Sequence, residues 1–473
     1  MSGINPGILD NKAAAVILLI LPLLLLVYVI YISSLLGYPE LIAALAVSLA
    51  VLFFIIRKPA LWATTLPIVF SLFALDSQEG ITVTDVIFAV YLNGSLYLWF
   101  VWQILVKKEK IVEHFSDWLI LAFFVFVLAG NLVIGILNGI DFLNWLSEYA
   151  LFTLVLYYFP LKKYLFDEDL LKKFLVFMFA GFTIVALYQL YMYLTFLSSG
   201  LQYAYELQAG VSHNQTYMTA ASTLGVLLVL FSKSKSKKIF FALTTLLSMG
   251  TLLISFSRTF WIVLLINLAI IFLYIPFRIK LKMSAVAFAA LSFFAIAAWS
   301  VLENNVTILI KVIEKRLQSS TQGKQDISIR ARLYEWEQAI IKIKENPLGG
   351  NGLSKKFYFY NPISEHTIYT ANIHNGYLSL SYRLGIPLAI TYVLIILMGF
   401  NRAAYAFFNL KGYGVSRIIA LSSALFFILL FLSNFMAQIF IYRDGFIVTA
   451  LALAFAAISE KKLMSEKLLS KKS

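Results

Sequence analysis

A chain of 473 residues that is 61% hydrophobic and 13% charged is not composed like a soluble domain, in which roughly a quarter of residues carry charge. The absence of cysteine excludes a disulfide framework, a thiolate nucleophile and a cysteine metal site. The net charge of +14 would raise nucleic acid as a partner for a soluble protein, but here it falls in short clusters between apolar runs, so none is expected.

Apolar runs near the ~20 residues needed to cross hydrocarbon recur along the chain. Fourteen candidate spans follow: 13–34, 39–56, 60–75, 86–106, 118–137, 143–161, 174–197, 214–232, 239–257, 259–277, 284–302, 374–400, 418–436 and 443–459. The first is a span rather than a cleaved signal, because further spans follow at once. Trp62, Tyr91, Trp99, Trp102, Trp118, Trp145, Tyr157 and Tyr158 crowd near span ends, as an interfacial aromatic belt does. The fold expected is therefore an all-α polytopic membrane protein with about fourteen transmembrane helices.

Charge gives the topology. With both termini cytoplasmic, the clusters at Arg57-Lys58, Lys107 to Lys110, Lys162 to Lys173, Lys233 to Lys238, Arg278 to Lys282, Arg402 to Arg417 and Lys461 to Lys472, with Lys12, share one side. They hold 25 of the 38 basic residues, which is what the positive-inside rule demands. Helices 1–11 then occupy residues 1–302, one large extracytoplasmic loop 303–373, helices 12–14 residues 374–459, and a basic cytoplasmic tail 460–473. The loop opens with polar Gln318 to Ser328. It continues as an amphipathic helix near 329–345, with Ser328 as its N-cap and Ile329, Leu333, Trp336, Ile340 and Ile343 on one face. Asn346-Pro347 ends that helix, and Gly349 to Gly352 form a turn.

Ten more basic residues lie in the loop, leaving Arg258, Arg383 and Arg443 at or just below the outer surface. A guanidinium stays charged and its fork matches a phosphate, although Arg258 could equally snorkel to lipid headgroups. Arg330 reads as a solvated helix face. Arg332 flanks the apolar stripe one turn before Trp336 and is a stronger candidate. Arg383 lies inside a span, where either a carboxylate or an anionic ligand must accompany it. Arg443 with Asp444 reads as a local ion pair.

Of the four histidines, His114, His213, His366 and His374, the last three fall outside. His374 stands where the loop re-enters the membrane. An unperturbed imidazole titrates near pH 6.5, so it can take a proton from a sugar hydroxyl; a hydrogen-bonded interfacial histidine is the plainer alternative. Tyr358, Phe359, Tyr360 and Tyr369 could stack on sugar faces. Asp76, Glu79 and Asp85 could hold a hard cation, and His213, His366 and His374 zinc, but neither set has ligand spacing. No metal and no cofactor is expected.

The stretch from Ile254 to about Gly385 resembles the signature region of O-antigen ligases and O-antigen polymerases. Ser257-Arg258 opens a span after a tight outer turn. Ser328-x3-Arg332-x3-Trp336 runs to Pro347-Leu-Gly-Gly-Asn-Gly-Leu353. His374-Asn375-x-Tyr377-Leu378 begins the re-entry, and ten residues separate His374 from Gly385. The resemblance covers roughly the C-terminal half. It implies a metal-independent glycosyltransferase of the inner membrane working at the periplasmic face, with an undecaprenyl-diphosphate-linked glycan as donor and membrane lipid around it. The acceptor would be a sugar hydroxyl of another lipid-linked glycan for a polymerase, or lipid A core or another surface polymer for a ligase. It implies that His374 is the base or orients the acceptor and that Arg258 and Arg332 contact the donor diphosphate; Arg330, Asn375, Tyr377, Arg383 and His213 are the candidates for lining the substrate, without a role carried over from the family. Arg383 departs from the family's pattern, so its role does not carry over, and the residues between Gly352 and Asn372 follow no family pattern that can be mapped. A polysaccharide flippase is the rival of another class, and a non-catalytic export scaffold a third; a transporter would show an internal repeat and midplane charges, and this chain shows neither clearly.

Overall fold

The computed structural model describes residues 57–75, 83–198, 214–281, 284, 327–361 and 365–470. The expected spans 13–34 and 39–56, all but the first residue of the span 284–302, residues 303–326 of the loop, and His213, Asp76 and Glu79 lie outside the described residues.

Leucine, isoleucine, phenylalanine and alanine dominate the helices, whose interior backbone groups pair within the helix, as a segment in hydrocarbon requires. In chain order they are α1 (Pro59–Leu75), α2 (Val83–Val101, extended by a π turn, Trp102–Val106) and α3 (Phe115–Leu137, with a π turn at Val127–Asn131). Next come α4 (Phe142–Phe152), a 3₁₀ turn (Thr153–Tyr157), α5 (Tyr158–Tyr164), α6 (Glu168–Ser198), α7 (Gln215–Phe231), α8 (Lys235–Ile254) and α9 (Arg258–Tyr274). After the loop helix α10 (Ile327–Glu345) come α11 (Gly376–Leu384), α12 (Ile386–Asn409), α13 (Val415–Ser433) and α14 (Arg443–Ser470). Among the described residues, five helices are long and apolar enough to cross a membrane: Phe115–Leu137, Glu168–Thr195, Lys235–Ile254, Ile386–Asn409 and Val415–Ser433.

Burial shows which helix is central. From Asp444 to Ser459 every residue of α14 is buried, the signature of a helix surrounded on all sides. It packs against α12, α13, α7 and α5, while α1 packs on α6, and α8 on both α6 and α7.

Side-chain contacts define the two ends of the bundle. At one, Arg402 Nε donates to Glu460 (2.6 Å), Lys461 Nζ to Glu113 (3.2 Å) and the Tyr413 hydroxyl to the Tyr274 carbonyl (2.8 Å). Lys162 meets buried Asp117 (2.7 Å), and Lys163 donates to Glu109, holding that carboxyl below its usual range. The basic clusters of several inter-helix connections therefore gather there. At the other end Asn214 donates to the Ala74 carbonyl (2.8 Å) and Asp444 accepts from the Thr216 amide (3.1 Å), capping α7.

Several expectations change, among them these. The span at 374–400 is two helices, α11 and α12, broken at Gly385. The last helix runs past 459 into the basic tail, to Ser470. An antiparallel hairpin of β1 (Phe357–Asn361) and β2 (His366–Thr370) departs from the expected all-α fold; the other regular elements among the described residues are helical. Its outward face carries Tyr358, Tyr360 and Tyr369; Phe357 and Phe359 turn inward onto Ala339, Ile343, Ile373 and Tyr382.

Candidate active site

The helix break at Gly385 organises the site. Gly385 has φ +83° and ψ 159°, a region open essentially to glycine alone, and a Cβ there would sit 2.1 Å from the Leu348 carbonyl oxygen. Gly350, with φ +73°, closes on the same point: its Cβ would lie 2.4 Å from the Gly385 nitrogen. The Pro347–Leu353 loop thus lies backbone to backbone against the break. The Ile386 amide donates to the Pro347 carbonyl (2.8 Å), Asn351 to Tyr382 (2.8 Å) and Gly352 to Arg383 (3.0 Å). Asn131, at the π turn of α3, joins both parts: its Nδ2 donates to the Arg383 carbonyl (2.8 Å) and its Oδ1 accepts from the Leu353 amide (3.0 Å).

Arg383 is buried and paired with a carboxylate. Its Nε donates to Glu148 Oε1 (2.5 Å) and its Nη1 to the Ser379 hydroxyl. The second oxygen of Glu148 accepts from the amide and the hydroxyl of Ser354. This arginine fastens the glycine loop and α11 to α4. Arg443 lies over the Phe73 ring (4.6 Å to its centroid) and donates to the Phe73 carbonyl (3.3 Å), and Asp444 caps α7.

His374 precedes α11 and is held from three directions. Asn375, the N-cap, accepts from the Tyr377 and Leu378 amides (3.0 Å each). The end of α13 supplies the second hold: Gln438 accepts from the Ile373 amide (3.1 Å), the Asn434 carbonyl from the Gly376 amide (2.8 Å), and the Phe431 carbonyl from the Tyr377 hydroxyl (2.9 Å). The third is α10. Glu335 accepts the His374 amide on Oε1 and faces its Nδ1 from Oε2 at 2.9 Å, and the Trp336 indole donates to the His374 carbonyl (3.2 Å). The imidazole remains 49% exposed while the Glu335 carboxylate is 10% exposed.

Asn375 and Tyr377 therefore spend polar atoms on building the turn. The apolar stripe of α10 is rotated from its expected face. Among the described residues Glu335, Ala339 and Ile343 are buried, while Leu333 and Ile340 are exposed. Helical spacing puts Arg332 on the face of Glu335 and Trp336, three and four residues on; it is half-buried, and Arg330 is exposed. Glu335 was missed because a periodicity that counts only apolar residues skips a carboxylate. Its spacing with Ala339 and Ile343 was the available signal.

Arg258 is half-buried at the first turn of α9, where the Trp261 indole closes the preceding turn on the Leu252 carbonyl (2.9 Å). Helix α9 runs antiparallel to α13: Tyr274 at its end meets Tyr413 before α13, and Asn267 reaches the Leu425 carbonyl (3.4 Å). From that contact Arg258 is nine residues back and Ser433 eight residues on, about 13.5 and 12 Å at 1.5 Å per residue. Arg258 thus stands level with the α13 end that grips the His374 turn. His366 opens β2 and is exposed. Asp85 lies in α2.

Residues 243–393, about a third of the chain, match the family model described as O-Antigen ligase. The match spans most of α8, then α9, α10, the hairpin, α11 and the start of α12. Comparison of the chain with curated proteins gave no match.

Proposed function

Because the chain carries an O-antigen ligase family domain among membrane-length apolar helices, we propose that it is a glycosyltransferase moving a glycan from a polyprenyl diphosphate to a sugar hydroxyl. The donor lipid is undecaprenyl diphosphate, and the acceptor is a second lipid-linked glycan, so the product is a polymer. The reaction takes place on the non-cytoplasmic side of the inner membrane, with the basic end of the bundle and both termini in the cytoplasm. The gathering of basic contacts at the end away from His374 supports that orientation.

The observation carrying this reading is His374: a half-exposed imidazole on a turn fixed from three sides, within the family domain. The acceptor hydroxyl attacks the anomeric carbon of the donor glycan and its proton passes to His374. The bond from that carbon to the diphosphate breaks, and the lipid diphosphate leaves with the electron pair. Arg258 and Arg332 meet its charge, a role in which fixed cations act most strongly because that charge grows in the transition state. No step in this scheme requires a metal.

The test is a product assay on purified protein in nanodiscs given a polyprenyl-diphosphate oligosaccharide and EDTA. A ladder of lengthening glycan is expected. Transfer only to added lipid A core makes the protein a ligase. Loss of activity with EDTA overturns the metal-free scheme.

A further inference from the structure

Resting on the reading of His374 as base, we propose that Glu335 is the positioning residue of this site, fixing the histidine in the one tautomer that can accept the hydroxyl proton. A neutral imidazole has one donating and one accepting nitrogen, whereas a carboxylate only accepts. With Glu335 Oε2 2.9 Å from Nδ1, the proton sits on Nδ1 and the lone pair on Nε2. The other oxygen of the same carboxylate takes the His374 backbone amide, and the next residue, Trp336, donates to its carbonyl. Two consecutive residues of α10 thereby engage three polar atoms of His374, and among the described residues Nε2 is the one they leave to the acceptor.

The carboxylate also works during the transfer. When Nε2 takes the proton the ring becomes an imidazolium, and a mostly buried carboxylate against Nδ1 stabilises it more than it stabilised the neutral ring. Arg332 lies one turn earlier on the same helix, so α10 carries both a donor-binding cation and the group that sets the base. Seating of α10 couples the two.

Glu335→Gln distinguishes positioning from a simple latch. The His374 amide is always a donor and keeps the remaining oxygen, so the introduced NH2 faces Nδ1 and drives the ring to the opposite tautomer. Wild type, E335Q, E335D, E335A and H374A are compared in nanodiscs with the polyprenyl-diphosphate oligosaccharide, together with ¹⁵N spectra of histidine-labelled protein. E335Q is expected to lower kcat on the order of 10²–10⁴-fold, with the donor KM within about threefold, and to move the His374 signal from the Nδ1–H to the Nε2–H pattern. E335D, still acceptor-only, is expected to recover at least about tenfold of the loss. Should E335Q not fold, E335A carries the test: reduced kcat at unchanged KM with the Nδ1–H pattern no longer dominant supports positioning, and wild-type kcat overturns it. Wild-type kcat in E335Q, or a loss residing in KM, likewise overturns it. A fully active H374A instead removes the reading of His374 beneath it.

Discussion

Arg383 offers a test that needs no substrate. Arg383→Met keeps bulk at a side chain only 3% exposed but removes the partner of Glu148, itself 10% exposed. Breaking a buried pair by deleting one partner costs about 3–5 kcal/mol, because the remaining charge stays buried. Glu148 keeps both donors from Ser354, which places the expected loss near the lower limit, about 3 kcal/mol. In R383M/E148Q no charge is stranded, so the double variant should be more stable than R383M alone, with a coupling of at least about 1.5 kcal/mol. The assay is reversible unfolding by SDS in mixed micelles, followed by tryptophan fluorescence. Stability of R383M within about 0.5 kcal/mol of wild type, or strictly additive effects, refutes the pair as a fastening of the glycine loop. A ligand-binding arginine would give the other pattern: raised donor KM at unchanged stability.

Gly385→Ala forces a side chain into backbone that only glycine adopts and drives its Cβ onto the Leu348 carbonyl, so a loss above about 3 kcal/mol is expected in the same titration, with the 346–353 loop newly open to protease. Asn375→Ala removes the cap of α11 and should cost about 1 kcal/mol, with a larger fall in kcat than in donor affinity, because the first turn after His374 loosens.

Much of the scaffold was legible because apolar length and helix periodicity are local properties. Helices α1, α3, α6, α8, α9 and α13 stand close to where the apolar runs put them, and α10 begins within two residues of its expected start. His374 and Arg258 were singled out by topology, and the structure sets them at one end of the bundle. What escaped was pairing across distance in the chain. Glu335 lies 39 residues from His374, and Glu148 lies 235 from Arg383, so no window of sequence could join either pair. The break at Gly385 did carry a local sign, a glycine followed by Pro387 at the second position of α12, which starts a helix more readily than it continues one. The hairpin was hidden because its alternation of buried and exposed aromatics, Phe357 to Tyr360, contains no polar residue to mark the period.

The proposed transfer depends on His374 above every other residue. In the nanodisc assay, release of polyprenyl diphosphate by His374→Ala should fall on the order of 10²–10⁴-fold below wild type, the contribution expected of a positioned base, while its SDS unfolding curve stays within about 1 kcal/mol of wild type. A folded H374A that releases polyprenyl diphosphate at the wild-type rate would contradict the account.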